Sequence, residues 1–294
     1  MASATELSAE QETANPERRG IRKGLYLVPS AFTAANISMG FFAVMAALRG
    51  FQLVGEGDAD AMQRAAEHFD NASKAICWAV LFDMLDGRIA RMTKTTTEIG
   101  VQLDSIADVL TFGIAPAVLA YAWGYGSALP EGGWAHKLGW FLSFMYLMCG
   151  AFRLARFNVQ AARPRVIAEG SGKVDKKNFV GLPIPPAAAL IATIIHFAPK
   201  PLVQYEPRLA NLYSGLMMAL VGFLGLLMVS TLRYSSFKTV GTRSRSARLA
   251  LLLVAAAGML IYLFSEYVLL ILALLYVLHG PVAKLGSLFR RRSA

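Results

Sequence analysis

Eight apolar runs, each approaching the length of a membrane-crossing helix, constrain the fold of this chain more than any other feature of its sequence. A helix needs about 20 predominantly apolar residues to cross the hydrocarbon core of a bilayer. Hydrophobic residues make up 55% of the chain and charged residues only 16%, whereas charged residues are about a quarter of a typical soluble domain. We therefore expect an all-α polytopic membrane protein with about eight transmembrane helices. The predicted spans lie near 30–50, 73–91, 102–125 and 137–157, in a fifth run that ends near 198, and near 209–231, 247–264 and 267–284.

Polar segments between these runs divide the chain into parts. The stretch 51–72 contains five acidic residues and is predicted to be a polar loop. Glu266 interrupts the last apolar stretch, which predicts that the final two spans form a tight helical hairpin. The predicted parts are a disordered N-terminal tail (1–24), a membrane domain (25–240), a C-terminal transmembrane hairpin (241–285) and a basic tail (286–294).

Lysine and arginine are distributed unevenly between the alternate loops. If the N-terminal tail is placed inside, 23 of the 29 lysines and arginines fall on that side. Short loops rich in these residues stay in the cytoplasm. We therefore expect both termini to face the cytoplasm, in a cytoplasmic membrane of the bacterial type. The net charge of +10 is explained by this topology and by contact with anionic membrane lipids, and it does not indicate nucleic-acid binding.

Four aspartates lie within 26 residues, at the predicted cytoplasmic ends of the second and third spans. Asp83 and Asp86 are three residues apart and Asp104 and Asp108 are four apart, so each pair projects from one face of a helix. An ionised carboxylate in lipid-like surroundings is costly unless it is paired or binds a metal. The pattern predicts two facing carboxylate pairs that hold divalent cations, with Arg91 beside them for a phosphate. Both pairs of aspartates would then lie at the cytoplasmic side of the membrane, and the predicted site would lie there with them.

Other interpretations of the four aspartates are open from the residues alone. They could be ion-paired structural groups or a proton relay, or they could line the pathway of a cation or proton-coupled transporter. The position of all four carboxylates at one side of the membrane argues against a transport pathway. The two halves of the chain also lack the inverted repeats with broken helices that many transporters contain.

The full pattern D-x2-D-G-x2-A-R-x8-G-x3-D-x3-D, which begins at Asp83, resembles the signature of the CDP-alcohol phosphatidyltransferase family. This resemblance implies a six-helix bundle of that family's type, followed here by the C-terminal hairpin. It also implies that Asp83, Asp86 and Asp104 are ligands of divalent metal, Mg²⁺ or Mn²⁺, with two ions per site. Asp108 would be the catalytic base and would also touch a metal.

The same resemblance assigns further residues to the CDP part of a CDP-diacylglycerol substrate. Three of these residues form a polar stripe on the first span, which helix packing through small polar residues would equally explain. A role as a helix cap would equally explain Thr97. The assigned residues are Ser30, Thr33, Asn36, Gly87, Arg91 and Thr97.

Stretches outside the aspartate pattern bear on the acceptor alcohol. The sequences R-L-A-R-F-N at 153–158, F-V-G-L-P-I-P-P-A-A-A at 179–189 and S-T-L-R-Y-S-S-F-K at 230–238 resemble the phosphatidylserine synthase subgroup of the family. That subgroup transfers a phosphatidyl group from CDP-diacylglycerol to the hydroxyl of L-serine and releases CMP. Glycerol phosphate, inositol phosphate and choline are the alternative acceptors. The family analogy also implies a homodimer.

A serine acceptor needs a cation for its carboxylate. Arg153 and Arg156, three residues apart at the cytoplasmic end of the fourth span, can supply it with paired hydrogen bonds, and Asn158 can accept from the amino group through its carbonyl. The alternative is that these arginines mark the membrane boundary or bind lipid headgroups. The proline cluster that ends at Pro186 is predicted to begin a helix.

Overall fold

The computed structural model describes residues 16–93, 98–162, 178–235 and 247–292. These residues are almost entirely helical, which confirms the all-α prediction. The helices are α1 (Pro16–Glu56), α2 (Ala59–Thr93), α3 (Glu98–Asp108), α4 (Ala115–Ala120), the single turn α5 (Gly126–Ala128), α6 (Trp134–Ala162), α7 (Ile184–Phe197), α8 (Pro207–Val229) and α9 (Ala247–Arg292). Two π-helical segments, Val109–Ile114 and Tyr121–Tyr125, join α3, α4 and α5 into one rod, and a 3₁₀ turn, Leu202–Gln204, precedes α8.

Among the described residues, six helical segments are long and apolar enough to cross a membrane. The predicted span at 73–91 is not among them, although it is helical within α2, and the last two predicted spans correspond to one segment. The count of eight therefore stays a prediction, while the integral membrane character of the protein is clear. The six segments are Ala31–Glu56, Ile99–Ala128, Trp134–Gln160, Ile184–Gln204, Pro207–Val229 and Ala255–Lys284.

The prediction of a polar loop at 51–72 is wrong, because only two residues join α1 to α2. The Asp58 carboxylate accepts a hydrogen bond of 2.6 Å from the backbone nitrogen of Ala61, which caps the first turn of α2. Ala61 and Ala65 are fully buried. Asp60, Glu67 and Asp70 of this stretch thus lie on a helix whose small residues are buried in the bundle.

The chain ends also differ from the sequence-based boundaries. α1 begins at Pro16, a residue type that suits a first helical position, so 16–24 are helical instead of belonging to the predicted tail. At the other end, α9 is one element in which Phe264 has non-helical backbone angles. This break separates two helical parts and lies two residues before Glu266, where the sequence predicts the turn of the hairpin. The hairpin stays a prediction. The domain boundaries themselves stay predictions.

A short antiparallel ribbon connects the segments before α7 and after α8. Strands β1 (Asn178–Val180) and β2 (Arg233–Ser235) pair with Phe179 opposite Tyr234. Gly181 follows β1 with a φ of +82°, and a Cβ there would lie 2.2 Å from the Met228 carbonyl oxygen. The predicted helix start at the proline cluster is confirmed, because α7 begins at Ile184.

The core of the bundle lies between α2, the rod, α6 and α7. Large side chains that are fully buried there include Phe69, Phe112, Tyr146 and Ile191. Apolar side chains on the outer faces, such as Trp140 at 63% exposure, remain uncovered. Lipid requires this arrangement, in which the outer surface of the bundle is apolar and the polar groups point into the interior.

Candidate active site

Three aspartates from two helices converge at one end of the bundle. Asp83 comes from the C-terminal part of α2, and Asp104 and Asp108 come from α3. One carboxylate oxygen from each lies within 4.8 Å of those of the other two. Three like charges this close repel one another strongly unless a cation lies between them. The cluster therefore fits a divalent metal ion bound by oxygen ligands.

Asp108 carries the second observation that points to a cation. Its carboxyl is only 9% exposed, and within the described part of the chain its Oδ1 atom has no hydrogen-bond partner. A buried carboxylate oxygen without a donor loses its solvation with no replacement. A metal ion in the cluster would supply the missing ligand, so the residues present fit the metal that the sequence predicts.

Asp86, the fourth predicted ligand, lies beside the cluster. Its Oδ2 atom accepts a hydrogen bond from the hydroxyl of Thr33 on α1, and its charge interacts with those of Asp104 and Asp108. The hydrogen bond joins the predicted nucleotide-binding helix directly to the predicted metal site. Asp86 is 7% exposed, so this contact lies inside the protein.

The rod changes to π-helical geometry at the residue after Asp108. A π-helical turn widens the helix and frees a backbone carbonyl from its usual partner, and such turns occur often at functional sites. The Phe112 carbonyl accepts a 3.0 Å hydrogen bond from Tyr146 on α6. The Thr111 hydroxyl donates to the carbonyl of Asn36 on α1 at 3.1 Å. These bonds hold α1 and α6 against the rod one turn beyond the aspartates.

Of the residues predicted to bind CDP, two from α1 point into the protein. Thr33 is 5% exposed and Asn36 is 2% exposed, and Asn36 Oδ1 is buried with no hydrogen-bond partner among the described residues. Gly87 is half-buried directly after Asp86. The side chains of Ser30 and Arg91 and the whole of Thr97 fall outside the described residues.

Arg153, one of the three predicted serine contacts, lies at the aspartate cluster. Its guanidinium interacts electrostatically with the Asp108 carboxylate and with the phenol of Tyr276 on α9. Its Nε atom is buried and has no hydrogen-bond partner in the described part of the chain. A guanidinium nitrogen with a vacant hydrogen bond, beside a buried carboxylate, suits an anionic ligand.

The other two predicted serine contacts are placed differently. Arg156 is exposed. The Asn158 amide donates a 2.7 Å hydrogen bond to the Ser105 hydroxyl, and both residues line a groove of about 380 Å³ between α3 and α6. Among the described residues, Arg153 is the one of the three whose guanidinium interacts electrostatically with an aspartate of the cluster. The roles of Arg156 and Asn158 in serine binding stay predictions.

Sequence reasoning missed Tyr276 and the π-helical turns. Tyr276 lies in an apolar run more than 120 residues after Arg153, so nothing in its local pattern separates it from a lipid-facing tyrosine. The π geometry has no residue signature in the run from Val109 to Ile114 beyond a glycine within an apolar stretch. Only the packing of distant elements reveals either feature.

Comparison with known proteins identifies relatives of this chain. A CDP-diacylglycerol–serine O-phosphatidyltransferase of Helicobacter pylori is 33% identical over 221 residues, covering 74% of this chain and 75% of the relative. Enzymes of the same name from Saccharomyces cerevisiae and Methanocaldococcus jannaschii are 36% and 32% identical, over 58% and 57% of this chain. The yeast and archaeal matches cover 54% and 65% of those relatives. The family model for CDP-alcohol phosphatidyltransferase matches residues 26–223, and the chain belongs to that family.

Proposed function

We propose that this protein transfers the phosphatidyl group of CDP-diacylglycerol to the hydroxyl of L-serine, giving phosphatidylserine and CMP. The observation that carries the proposal is the cluster of Asp83, Asp104 and Asp108 with Arg153 beside it. The cluster suits the cations that accompany a pyrophosphate, and the guanidinium suits an acceptor that carries a carboxylate. The names of the bacterial, yeast and archaeal relatives support serine as the acceptor.

Asp108 is assigned the proton transfer. Its buried carboxylate accepts the proton of the serine hydroxyl as the bond between that oxygen and the β-phosphorus of CDP-diacylglycerol forms. The bond from the same phosphorus to the CMP oxygen breaks, and CMP departs with the electron pair. A single direct displacement of this kind inverts the configuration at phosphorus and needs no covalent intermediate on the protein.

The aspartates are assigned to two divalent ions, Mg²⁺ or Mn²⁺. Asp83, Asp104 and Asp108 would share the cluster position, and Asp86 would join them through its place beside Asp104. When bound, such ions neutralise the pyrophosphate and stabilise the attacking and leaving oxygens. The unpartnered Oδ1 atom of Asp108 supports this assignment.

We assign the acceptor and nucleotide contacts to the residues that the sequence predicts. In serine, two carbons separate the hydroxyl oxygen from the carboxylate carbon, so the base and the carboxylate-binding cation must be neighbours, as Asp108 and Arg153 are. We assign the serine carboxylate to Arg153, with Arg156 and Asn158 as further acceptor contacts. Thr33 and Asn36, which are buried beside the aspartates, belong to the nucleotide contacts. The full set that we assign is Ser30, Thr33, Asn36, Gly87, Arg91 and Thr97.

We also propose on which side of the membrane the reaction takes place and how many copies of the chain assemble. The lysine and arginine distribution supports a cytoplasmic location for both termini and for the aspartate cluster. We further propose a homodimer in the membrane, by analogy with the family. Size determination of the detergent-solubilised protein, with the detergent mass subtracted, tests this: a single-chain mass at all concentrations would remove the dimer.

The experiment that tests the function is CMP release by the purified protein in detergent with Mn²⁺ or Mg²⁺. CDP-diacylglycerol is offered together with L-serine, glycerol 3-phosphate, inositol phosphate or choline in separate reactions. We expect the wild-type protein to release CMP with serine. The Asp108→Asn variant, which should be inactive, is the control. Release with another alcohol alone would keep the aspartate chemistry and overturn the serine assignment.

Direct displacement is tested separately. CMP is measured in the first turnover before serine is added, because a covalent phosphatidyl–protein intermediate would release one CMP per site at that stage. We expect no such burst. A burst of one equivalent, or overall retention of configuration at phosphorus, would show two displacements instead of one.

A further inference from the structure

Helix α1 is the common neighbour of the two helices that carry the aspartates. It packs against α2, against α3 and against the π-helical segment that follows Asp108. Thr33, Asn36 and Gly40 are all buried, and they lie three and four positions apart, so they share one face of α1. The placement of this face therefore bears on both pairs of carboxylates.

Two contacts hold this face of α1 against the rod. The Thr111 hydroxyl donates a 3.1 Å hydrogen bond to the carbonyl of Asn36. A Cβ at Gly40 would lie 2.8 Å from the Thr111 Cα, so the two backbones approach as closely as a glycine allows. α1 is therefore fixed to the segment that begins directly after Asp108.

Thr33, on the same face, reaches the other aspartate helix. Its hydroxyl donates a 2.5 Å hydrogen bond to the Oδ2 atom of Asp86 on α2. Both side chains are buried, and a hydrogen bond inside a protein is electrostatically stronger than one in water. A hydrogen bond to a carboxylate is also stronger than one between neutral groups. The bond therefore restricts the orientation of the Asp86 carboxylate.

Asp86 lies one helical turn from Asp83, whose carboxylate belongs to the cluster. Residues three apart on a helix are neighbours on one face, and the Asp83 oxygen lies within 4.8 Å of oxygens of Asp104 and Asp108. In metal sites, a hydrogen-bond partner behind a ligating carboxylate fixes its orientation. Thr33 stands in this relation to Asp86, because one carboxylate oxygen accepts its hydrogen bond and a carboxylate has a second oxygen that can bind a cation.

We propose that Thr33 is a positioning residue of the metal site, whose hydroxyl holds the Asp86 carboxylate in the orientation that binds a divalent cation. α1 thereby sets how the two aspartate pairs face each other. The inference rests on the proposed function, because it presumes that Asp86 is a metal ligand. It adds to the assignment of Thr33 as a nucleotide contact, since a hydroxyl oxygen that donates its proton can still accept a hydrogen bond.

The test is Mn²⁺ binding by the purified full-length protein in detergent without nucleotide, followed by electron paramagnetic resonance. Thr33→Val keeps the shape of the side chain and removes the hydroxyl. We expect its Kd for Mn²⁺ to rise about 10- to 100-fold, the usual effect of removing a partner of a metal ligand. Thr33→Ser, which keeps the hydroxyl, should retain most of the wild-type affinity.

Thr193→Val is the matched control for the loss of a buried hydroxyl. The Thr193 side chain is also buried, but its hydroxyl donates to the Leu190 carbonyl of its own helix, α7. Thr193→Val should therefore leave the Mn²⁺ affinity unchanged.

A double-mutant cycle separates positioning from a general structural effect. If Thr33 acts through Asp86, then Thr33→Val should raise the Mn²⁺ Kd much less in an Asp86→Asn background than in wild type. An unchanged Mn²⁺ affinity of Thr33→Val would overturn the inference, as would an equal loss of affinity in Thr33→Ser. If Thr33→Val does not fold, Thr33→Ser is compared with Thr33→Ala, which differs from it by the hydroxyl alone, and equal Kd values would overturn the inference.

Failure of the proposed function has a different signature, because serine-dependent CMP release is measured separately. If wild type releases CMP with serine and Thr33→Val keeps its Mn²⁺ affinity, the inference alone fails. If wild type releases no CMP with serine and Thr33→Val loses Mn²⁺ affinity as expected, the serine assignment alone fails. A wild-type protein that binds no Mn²⁺ would overturn the inference together with the metal assignment.

Discussion

The aspartates of the cluster have different surroundings, and substitution should separate their roles. Asp83 is assigned to metal alone, whereas Asp108 also receives the proton. We expect Asp83→Asn to lose Mn²⁺ binding and turnover together. Asp108→Asn should lose turnover by about 10²–10⁴-fold, the usual contribution of a general base, even when Mn²⁺ is saturating.

The measurement pairs Mn²⁺ binding, followed by electron paramagnetic resonance, with CMP release over a range of Mn²⁺ concentrations. Normal turnover of Asp108→Asn at saturating Mn²⁺ would show that the base is a different group. Arg88→Gln, an exposed change on the same helix as Asp83, controls for a general loss of charge at this end of the bundle.

Which residues the sequence could predict depends on how local their geometry is. The aspartate pairs follow from helical spacing, since residues three or four apart share a face in any α-helix. Arg153 could be named from its charge at the end of a span, but its place beside Asp108 depends on how α6 packs. Tyr276 could not be named, because its partner Arg153 lies on a helix distant in sequence.

At the scale of elements, the approach of α1 to the rod depends on one glycine. A Cβ at Gly40 would lie 2.3 Å from the Thr111 hydroxyl oxygen and 2.8 Å from the Thr111 Cα, so the π-helical segment or α1 must shift. We expect Gly40→Ala to destabilise the protein by about 1–3 kcal/mol, the usual cost of overpacking. It should also lower activity, since Thr33 and Asn36 lie on the same helix.

Gly55 provides the matched control for this prediction. It lies on α1 as well, but a Cβ there would have no neighbour within 4 Å. Gly55→Ala should therefore be neutral or should stabilise the helix by up to about 1 kcal/mol. Melting temperatures of the two variants in the same detergent make the comparison, and equal values would show that the close approach at Gly40 has no energetic consequence.

A polar cluster joins three elements at the end of the bundle opposite the aspartate site. His196 on α7 donates from Nδ1 to Asp70 on α2, and its Nε2 atom lies 2.9 Å from the Ser265 hydroxyl on α9. Lys74 lies 2.6 Å from the other Asp70 oxygen. Burial raises the pKa of Asp70, but hydrogen bonds and electrostatic attraction from His196 and Lys74 outweigh it, so the pKa lies below its usual value of 3.8.

A carboxylate with a lowered pKa stabilises the folded state when it is ionised, and this stabilisation is lost as the pH falls through the folded-state pKa. We expect Asp70→Asn to be less stable than wild type at pH 7 by about 1–3 kcal/mol. The difference should shrink below about pH 3.8, where the Asp70 carboxyl of the wild type also becomes neutral. Melting curves at pH 7, 5 and 3 test this, with Asp60→Asn, whose side chain is 82% exposed, as control. A constant difference across this range would contradict the prediction.

Prediction of the elements from sequence failed where tertiary packing outweighed local composition. The stretch 51–72 was expected to be a loop because it is acidic, yet Ala61 and Ala65 are fully buried, while Asp60 and Glu67 on the same helix are exposed. The break at Phe264 lies two residues before the expected turn at Glu266. Most runs of apolar residues, by contrast, correspond to helical segments that are long and apolar enough to cross a membrane, since lipid leaves the backbone no alternative to a helix.

At the scale of the whole molecule, charged and polar groups collect at the two ends of an apolar bundle. The aspartate site and Arg153 lie at one end, and Asp70, Lys74 and His196 lie at the other. From the lysine and arginine distribution we propose that the first end faces the cytoplasm, where CMP would be released and where serine is dissolved. Orientation is therefore part of the proposed reaction, and an inverted protein would present its acceptor site to the wrong compartment.

Single cysteines at the two ends test this orientation. In a background with Cys77 and Cys149 replaced by alanine, we introduce Arg88→Cys or Arg208→Cys, two exposed positions that the charge distribution assigns to opposite sides. A membrane-impermeant maleimide added to intact spheroplasts should label Arg208→Cys at once and Arg88→Cys only after permeabilisation. The reverse pattern would place the aspartate site outside the cell. Labelling of both without permeabilisation would show that α2 does not cross the membrane, because α2 carries Arg88 and would then lie wholly on the outer side.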